Sequence, residues 1–544
     1  MKFKKVISVL LCMLLTAVIF SGCSSKESNI DLIYPFSGNI NSYDPQIAST
    51  TDEFLIAENC FEGLVRSDDS GNITPGCATK WDVEDSGLKY TFHLQKGLHW
   101  YIFKSVKEKM GENYNPEITA NDFVFALRRA VDPNTESPLY STVSCIENAK
   151  EINSGAASTE SLGVKAIDNY TLEITLSSAN DEFLQTLSTA VAMPCNEEFF
   201  NSTNGRYGLD LMYTMFNGQF IVTNQLEASY ILKNNSSYEG PTPAKAYNLT
   251  LKIVEPTDEL APQVLSGYYD AAYLRGYEVT NIGEKSGVTL VPYSEITWAL
   301  TINGNNGIFA NDKAREAICI STSELDYDKF PYLTKAKGFI PPSCTANGKS
   351  YTEQCQTITP QKDESQAVNL WKKAISEEKI YNIELTVIAP NTMEDATKKI
   401  LQGIQSSIGS VSNVNDNKVK TTIKLETMTE AELKSKVASG EYDIAVYPYE
   451  ATSSSPVAFL NNFSQTNTTG FNADDFNEKL NEANSADAAD LVNACGECEA
   501  QLAESYCYSP LFYESNYYAQ AKGVTGVQFH PGSGRVSFIN ADRK

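Results

Sequence analysis

Between residues 383 and 447 the chain alternates apolar, strand-like runs with amphipathic helical runs, and this pattern constrains the fold most strongly. It predicts strands at 383–389, 421–426 and 442–447, separated by helices at 393–408 and 429–437. Strands that alternate with helices predict a parallel sheet, because a helical crossover returns the chain to the starting edge before each new strand. We expect right-handed crossovers, with both helices on one face of the sheet.

The last of these strands leads to the first candidate site. Its apolar residues, Tyr442 to Tyr447, give way to Pro448 and a run rich in Ser, Thr and Glu. Parallel sheets bind ligands beyond the carboxyl ends of their strands. The sequence therefore predicts a binding site that includes Tyr449, Glu450, Thr452 and Ser453.

The first 22 residues form a separate unit. Three lysines precede an apolar run from Val6 to Phe20, which is shorter than the ~20 residues that a membrane-spanning helix needs. This pattern is typical of a secretory signal. Its end, Ser21-Gly22-Cys23, resembles a bacterial lipobox, which implies a lipid on Cys23, a polar tether at 23–29, and attachment to the outer face of the cytoplasmic membrane. That face is periplasmic if the cell has an outer membrane.

Charge and cysteine content indicate an exported protein that does not bind nucleic acid. Without the signal the chain has 40 basic and 68 acidic side chains, a net charge of −28, and no basic stripe that would neutralise phosphates. Ten cysteines remain after Cys12 and Cys23 are set aside. Their pairing is not readable from sequence, and the best local candidate is a disulfide between Cys344 and Cys355, across a loop containing Gly and Ser.

The sequence does not predict catalysis, a cofactor or a metal site. It contains no GxSxG or HExxH motif and only three histidines. His93 and His99 lack a supporting carboxylate motif. Cys495 and Cys498 form a CxxC motif inside a predicted helix at 487–504, with neither a second CxxC nor a nearby histidine, so we expect a structural role.

Ordered landmarks along the mature chain resemble the solute-binding proteins of oligopeptide and dipeptide ABC importers. Each landmark is short, and their shared order carries the resemblance. They include Ser42-Tyr43-Asp44-Pro45, Phe61-Glu62-Gly63-Leu64, GLKYTFHLQKG at 87–97, Thr119-Ala120-Asn121-Asp122-Phe123, Asn217-Gly218-Gln219-Phe220, the stretch 440–447, and Pro456 with Phe459-Leu460.

The resemblance implies an α/β, two-lobed fold like that of the periplasmic binding proteins, of the type II, large peptide-binding class with an extra inserted subdomain. The first lobe would combine 25–66, 190–298 and 520–544. The inserted subdomain would be 67–189, and the second lobe 299–519. Two crossings would join lobes that close over a solute, so that a ligand contacting both lobes shifts the equilibrium toward the closed form.

The resemblance also implies site residues, and here the chain departs from the family. In peptide-binding relatives an aspartate four residues before the proline matching Pro456 holds the ligand's amino terminus, and this chain has Thr452 there. Glu450 is a candidate replacement, because a buried ammonium requires a carboxylate. Tyr449 stands where the family has tryptophan. Further candidates lie at predicted strand ends, crossings or turns, and for the first of them core packing is an equal alternative: Trp298, Tyr513 and Asn41.

We therefore expect a noncatalytic, monomeric protein that captures an extracellular peptide and delivers it to an ABC permease and ATPase. Two alternatives remain open at this point. Aromatic side chains also stack on sugar rings, so an oligosaccharide is an alternative ligand. A lipid-anchored sensor or adhesion protein would use the same fold without a transporter.

Overall fold

The structure, a computed structural model, describes residues 30–68, 72–180, 182–255, 259–283, 286–305, 307–451, 453–465, 469–486, 489–530 and 535–544. The predicted signal and tether, the anchor Cys23 and the candidate Thr452 lie outside the described residues. None of the described helices has the length and apolar character needed to cross a membrane.

The first half of the described chain contains eleven strands and eight α-helices. The strands are β1 (Asp31–Phe36), β2 (Val65–Ser67), β3 (Ile73–Pro75), β4 (Ala78–Glu84), β5 (Lys89–Leu94), β6 (Val164–Asp168), β7 (Thr171–Thr175), β8 (Phe220–Leu226), β9 (Ser229–Asn234), β10 (Asn248–Ile253) and β11 (Ala271–Leu274). The helices are α1 (Thr51–Cys60), α2 (Lys104–Met110), α3 (Ala120–Val131), α4 (Tyr140–Val143), α5 (Ala149–Asn153), α6 (Phe183–Leu187), α7 (Glu197–Ser202) and α8 (Ala261–Ser266).

The second half of the described chain contains fourteen strands and eight α-helices. The strands are β12 (Thr289–Ile302), β13 (Leu333–Lys335), β14 (Thr345–Ala346), β15 (Lys349–Ser350), β16 (Asn382–Pro390), β17 (Asn413–Val414), β18 (Asn417–Lys418), β19 (Lys420–Met428), β20 (Ile444–Glu450), β21 (Tyr508–Gln520), β22 (Val524–Thr525), β23 (Gln528–His530), β24 (Arg535–Ser537) and β25 (Asp542–Arg543). The helices are α9 (Asp312–Ser321), α10 (Tyr351–Gln354), α11 (Glu364–Glu378), α12 (Glu394–Gly409), α13 (Glu430–Ser439), α14 (Pro456–Leu460), α15 (Ala473–Ser485) and α16 (Leu491–Glu504).

The largest sheet confirms the predicted parallel core. Its strand order is β11-β21-β12-β20-β16-β19, with β13 paired to β21, and β16 pairs in parallel with both β19 and β20. The predicted helices correspond to α12 and α13 within a few residues. Helix α13 is fixed at its start by a capping box, in which Thr429 and Glu432 bond each other's backbone amides.

The prediction that both helices lie on one face of this sheet is wrong. Val387 of β16 packs with residues of α12, whereas the next residue, Ile388, packs with Leu433 of α13. Successive side chains of a strand point to opposite faces, so α12 and α13 cover opposite faces. The reason is the strand order: the chain moves from β16 outward to β19 and then back past β16 to β20. Right-handed crossovers in opposite directions place their helices on opposite faces.

Two long neighbouring strands, β12 and β21, connect the hydrophobic cores. One core includes Tyr293 and Tyr518 together with residues from the amino-terminal half, including the predicted inserted region 67–189. Two other cores are built from residues within 296–512, and one of these cores includes Ile296 and Phe512. The change from one core to the next therefore lies a few residues from the expected boundaries after 298 and 519. At the change on β12, the pairing with β21 has a register shift between Tyr293 and Ile296.

A buried ion pair joins segment 67–189, predicted to be the inserted subdomain, to segment 25–66, predicted to belong to the first lobe. Arg129 of α3 donates to Asp44 Oδ1 at 3.1 Å and to Gln46 Oε1 at 2.9 Å, and its guanidinium lies 4.3 Å from the centre of the Phe200 ring. The carboxylate, amide and ring together compensate the buried charge of Arg129. These contacts hold the segment after β1 in place.

Candidate ligand-binding site

The carboxyl ends of the three parallel strands lie at one edge of the large sheet. β16 ends at Pro390, β19 at Met428 and β20 at Glu450, and α13 begins at Glu430 beside them. The strand β20 continues two residues past the predicted turn at Pro448, because Tyr449 and Glu450 pair with Thr297 and Ile296 of β12. Tyr449 and Glu450 therefore belong to the end of the strand, whereas the sequence predicts a loop at these residues.

The three aromatic candidates are core residues. Tyr449 is 7% exposed; its ring centre lies 4.6 Å from that of Phe463, and its hydroxyl is 2.8 Å from the hydroxyl of Thr301. Trp298 is fully buried and donates from Nε1 to Glu514 Oε2 at 2.7 Å. Of the two alternatives for Trp298, the structure favours core packing over ligand contact.

Tyr513 is also buried, in the middle of β21. Its hydroxyl accepts from the amides of Lys337 and Gly338, each at 3.1 Å. Both faces of the central strands are covered by helices or loops, which is why these aromatic side chains point into cores whichever face they occupy. None of the three presents a ring to a ligand in this structure.

The polar candidates do not form one cluster. Glu450 is partly exposed and lies 3.9 Å from Lys434 Nζ of α13. Ser453 is partly exposed, and its hydroxyl accepts from the amide of Ser455 at 3.3 Å. Asn41 is exposed on the segment after β1, where its backbone amide donates to Glu53 Oε1 at 2.8 Å. Within the described residues, no recorded hydrogen bond or ion pair joins Asn41 to Glu450 or Ser453.

A charged group that the sequence analysis missed surrounds Glu450. We call it the acidic corner, and it contains four carboxylates and two cations. Arg275 contacts Glu430 at 2.7 Å and Glu514 at 3.9 Å. Glu450 and Glu514 both lie opposite Ile296, one on each neighbouring strand, so they share a face of the sheet. The members of the acidic corner are Arg275, Glu295, Glu430, Lys434, Glu450 and Glu514.

Glu295 lies on β12 within the register shift and interacts with two members of the acidic corner, Glu450 and Glu514. Its carboxylate accepts from the hydroxyl of Tyr273, and that hydroxyl accepts from Asn516 Nδ2 at 2.8 Å. Burial, together with the charges of Glu450 and Glu514 and against the Asn516 amide, raises the pKa of Glu295 to about 8. No motif marks Glu295 in the sequence, since its neighbours come from distant strands.

The predicted disulfide between Cys344 and Cys355 is wrong: both residues are free thiols in the structure. The Cys344 sulfur points toward the carbonyl groups of Ser453 and Ser455, at 3.9 and 3.8 Å. Cys355 directly follows the carboxyl end of α10, whereas Cys344 precedes the helix. Burial raises the pKa of the Cys344 thiol to about 12, which keeps it protonated and unreactive.

Cys495 and Cys498 are buried in α16 as free thiols. In the part of the chain that the structure describes, no group of His, Cys, Asp and Glu side chains is arranged to hold a metal ion. A cavity of about 430 Å³ lies between the segments 322–327, 357–362 and 510–512. None of the candidate site residues lines it.

Two lobes joined by paired strands, with a polar strand edge at the junction, define a two-lobed α/β binding protein of the periplasmic-binding-protein type. The sequence model for bacterial extracellular solute-binding proteins, family 5 middle, matches residues 72–471. The chain belongs to this family.

Several distant relatives match almost the entire chain. A dipeptide-binding protein from Lactococcus lactis subsp. cremoris is 24% identical, covering 97% of this chain and 98% of its own. The oligopeptide-binding protein OppA from Bacillus subtilis is 23% identical, covering 99% of each. Among solved structures, Listeria monocytogenes OppA bound to peptide superposes with a TM-score of 0.68 at 21% identity, covering 95% of this chain and 99% of the other. These structures establish the two-lobed fold.

Proposed function

We propose that this protein captures oligopeptides outside the cell, in the cleft between its lobes, and delivers them to the permease of an ABC importer. One observation carries the proposal: relatives that match over nearly the whole length of the chain are named dipeptide- or oligopeptide-binding proteins. The acidic corner adds physical support, because a peptide's amino terminus is a cation and carboxylates are its strongest partners. Capture is noncatalytic and requires no cofactor.

The ligand class is tested by native mass spectrometry of the purified mature protein. The probes are a pool of synthetic tetrapeptides with free amino termini and a pool of cello- and malto-oligosaccharides. We expect mass shifts that match peptides. Retention of sugars without peptides would replace the peptide assignment by the oligosaccharide alternative.

Within this function, Glu450, Ser453, Thr452 and Asn41 stay proposed ligand contacts. Glu450 supplies a carboxylate near the position where Thr452 replaces the family's aspartate. We expect Glu450→Gln to weaken peptide binding by at least about 1.5 kcal/mol, the size of a hydrogen bond to a charged group. Isothermal titration calorimetry (ITC) measures the change, and an unchanged dissociation constant would exclude Glu450 from the site. Ser453→Ala is the matched neutral change, and we expect a smaller loss from it.

Membrane attachment through Cys23 is a separate proposal, supported by the lipobox-like sequence before it. The wild-type chain should incorporate a clickable palmitate analogue and sediment with membranes. Cys23→Ser should lose both properties while binding the same peptides. Co-purification of the anchored protein with a permease and ATPase would support the importer role, whereas binding without such partners would favour a sensor.

A further inference from the structure

Glu295 differs from the other carboxylates of the acidic corner in its partners. Glu430 and Glu514 face the Arg275 guanidinium, and Glu450 faces Lys434. Among the described residues, no Lys, Arg or His side chain forms an ion pair with Glu295. Four carboxylates share two cations, and Glu295 is the one left without a counter-charge.

The contacts that Glu295 does have are neutral and hold it in place. The Tyr273 hydroxyl donates to the carboxylate and is itself fixed by Asn516. The Glu295 carbonyl accepts from the amide of Ala451 at 2.9 Å. Ala451 directly precedes Thr452, the position of the family's missing aspartate. Glu295 is therefore positioned beside the segment where the proposed ligand amine is expected.

The position of Glu295 along β12 also suits a residue that senses both lobes. Tyr293, two residues earlier, packs in the first lobe's core, and Ile296, the next residue, packs in the second. Tyr273 reaches Glu295 from β11, and Glu450 approaches from β20. A cation bound by Glu295 would lie at the junction that must bend when the lobes move.

The charged and titratable groups around Glu295 determine its protonation. Glu450 of β20 and Glu514 of β21 face it and oppose its ionisation, while the Asn516 amide favours ionisation. Tyr273 and Tyr518 are its phenolic neighbours. Because the pKa of Glu295 is raised to about 8, the carboxyl carries a proton at neutral pH when no cation is present.

We propose that Glu295 receives the ammonium group of the bound peptide and releases its own proton to solvent as that group arrives. The proposal rests on the function proposed above. In this step the O–H bond of the carboxyl breaks, the proton goes to water, and a carboxylate–ammonium ion pair forms. Glu295 thus supplies the missing aspartate's charge from a different strand, and Glu450 is its neighbour in the site.

Proton release has a definite sign in binding experiments. Because the bound state holds fewer protons on Glu295 than the free state, affinity rises with pH below the pKa of Glu295. The peptide's own amino group loses its proton near pH 8, so the rise is measured between pH 6.0 and 7.0. Up to about one proton per peptide leaves the protein at pH 7.

The experiment uses the tightest-binding tetrapeptide from the pool and its N-acetylated form, titrated by ITC into wild type and Glu295→Gln. Titration in phosphate and in Tris, whose ionisation heats differ, counts the protons. We expect wild type to release protons with the free-amine peptide, and to bind the acetylated peptide about tenfold or more weakly. In Glu295→Gln the proton release should disappear, and the discrimination between the two peptides should fall to what Glu450 alone supplies.

Glu384→Gln is the control, because it is the same substitution at an exposed glutamate near the start of β16, at the opposite end of that strand from Pro390. It should match wild type in affinity and proton count. Equal proton release by wild type and Glu295→Gln, or equal discrimination between the peptides, would overturn the proposal while leaving peptide capture intact. If wild type binds no peptide from the pool, the proposed function itself fails and this inference falls with it. A Glu295→Gln protein that does not fold is replaced by Glu295→Asp, which should keep proton release but bind more weakly.

Discussion

Two glutamates with raised pKa values, Glu295 and Glu499, occupy very different surroundings. Glu499 of α16 is 1% exposed and accepts from the amides of Phe339 and Ile340 at 2.6 and 2.9 Å. The Tyr351 hydroxyl donates to its other oxygen at 2.8 Å. Burial raises its pKa to about 7 against the effect of these three donors.

Glu295 has one hydroxyl donor, is partly exposed, and faces two other carboxylates. Among the described residues neither glutamate has a cationic partner, but only Glu499 has both oxygens occupied by the protein's own donors. A carboxylate surrounded by donors anchors a segment, here 338–340, where a side chain at Gly338 would collide with Glu499. A carboxylate left with few donors and open to solvent is available to a ligand cation.

The largest expected effect tests the anchor. Glu499→Ala should lower the free energy of unfolding by about 3 kcal/mol or more, because two buried amides and one hydroxyl lose their acceptor. Urea unfolding followed by tryptophan fluorescence measures the loss. Glu497→Ala on the same helix removes an exposed ion pair with Lys479 and should cost less than about 0.5 kcal/mol. A comparable loss in both variants would contradict the assignment of Glu499 as an anchor.

A smaller effect is expected from the cation of the acidic corner. Arg275→Met should cost about 2 kcal/mol, because Glu514, which is 1% exposed, keeps Trp298 as a partner but loses its only nearby cation among the described residues. Chemical unfolding at pH 7 and pH 5 provides the check. The deficit should shrink as the pH falls to 5, because burial raises the pKa of Glu514 and protonation of its carboxyl removes the uncompensated charge. An equal deficit at both pH values would mean that packing, and not charge, explains the loss.

The sequence predicts the elements that depend on local pattern, but not the side-chain environments that depend on contacts between distant residues. The parallel strands and helices α12 and α13 follow from local periodicity, and the site edge follows from the ends of β16 and β20. The direction in which Tyr449 and Trp298 point does not follow from local pattern, because both faces of these strands are covered. The raised pKa of Glu295 depends on Glu450 and Glu514, which are remote from it in sequence and become its neighbours only in the folded sheet.

The pH dependence of stability gives a third test. Glu295 and Glu499 have folded pKa values above the ordinary value of 4.5, so the folded state binds more protons than the unfolded state above pH 4.5. Stability contributed by their protonated forms is lost as pH rises, through about 7 for Glu499 and about 8 for Glu295. Between pH 5 and pH 8, the free energy of unfolding should fall by about 1 kcal/mol less in Glu295→Gln than in wild type. This expected difference is small because Glu295 is partly exposed and solvent screens its charge. Parallel pH profiles would contradict the raised pKa of Glu295.

The smallest expected effect concerns Tyr449, which adjoins Glu450 but points into the core. Tyr449→Phe removes the hydroxyl that lies 2.8 Å from Thr301 and keeps the ring against Phe463. The free energy of unfolding should fall by about 1 kcal/mol or less, the net contribution of one neutral hydrogen bond. The dissociation constant for the tightest-binding tetrapeptide should stay within about twofold of wild type, because no ligand contact is removed. A tenfold loss of affinity without loss of stability would return Tyr449 to the binding site and extend the ligand-facing surface from the acidic corner into the strand itself.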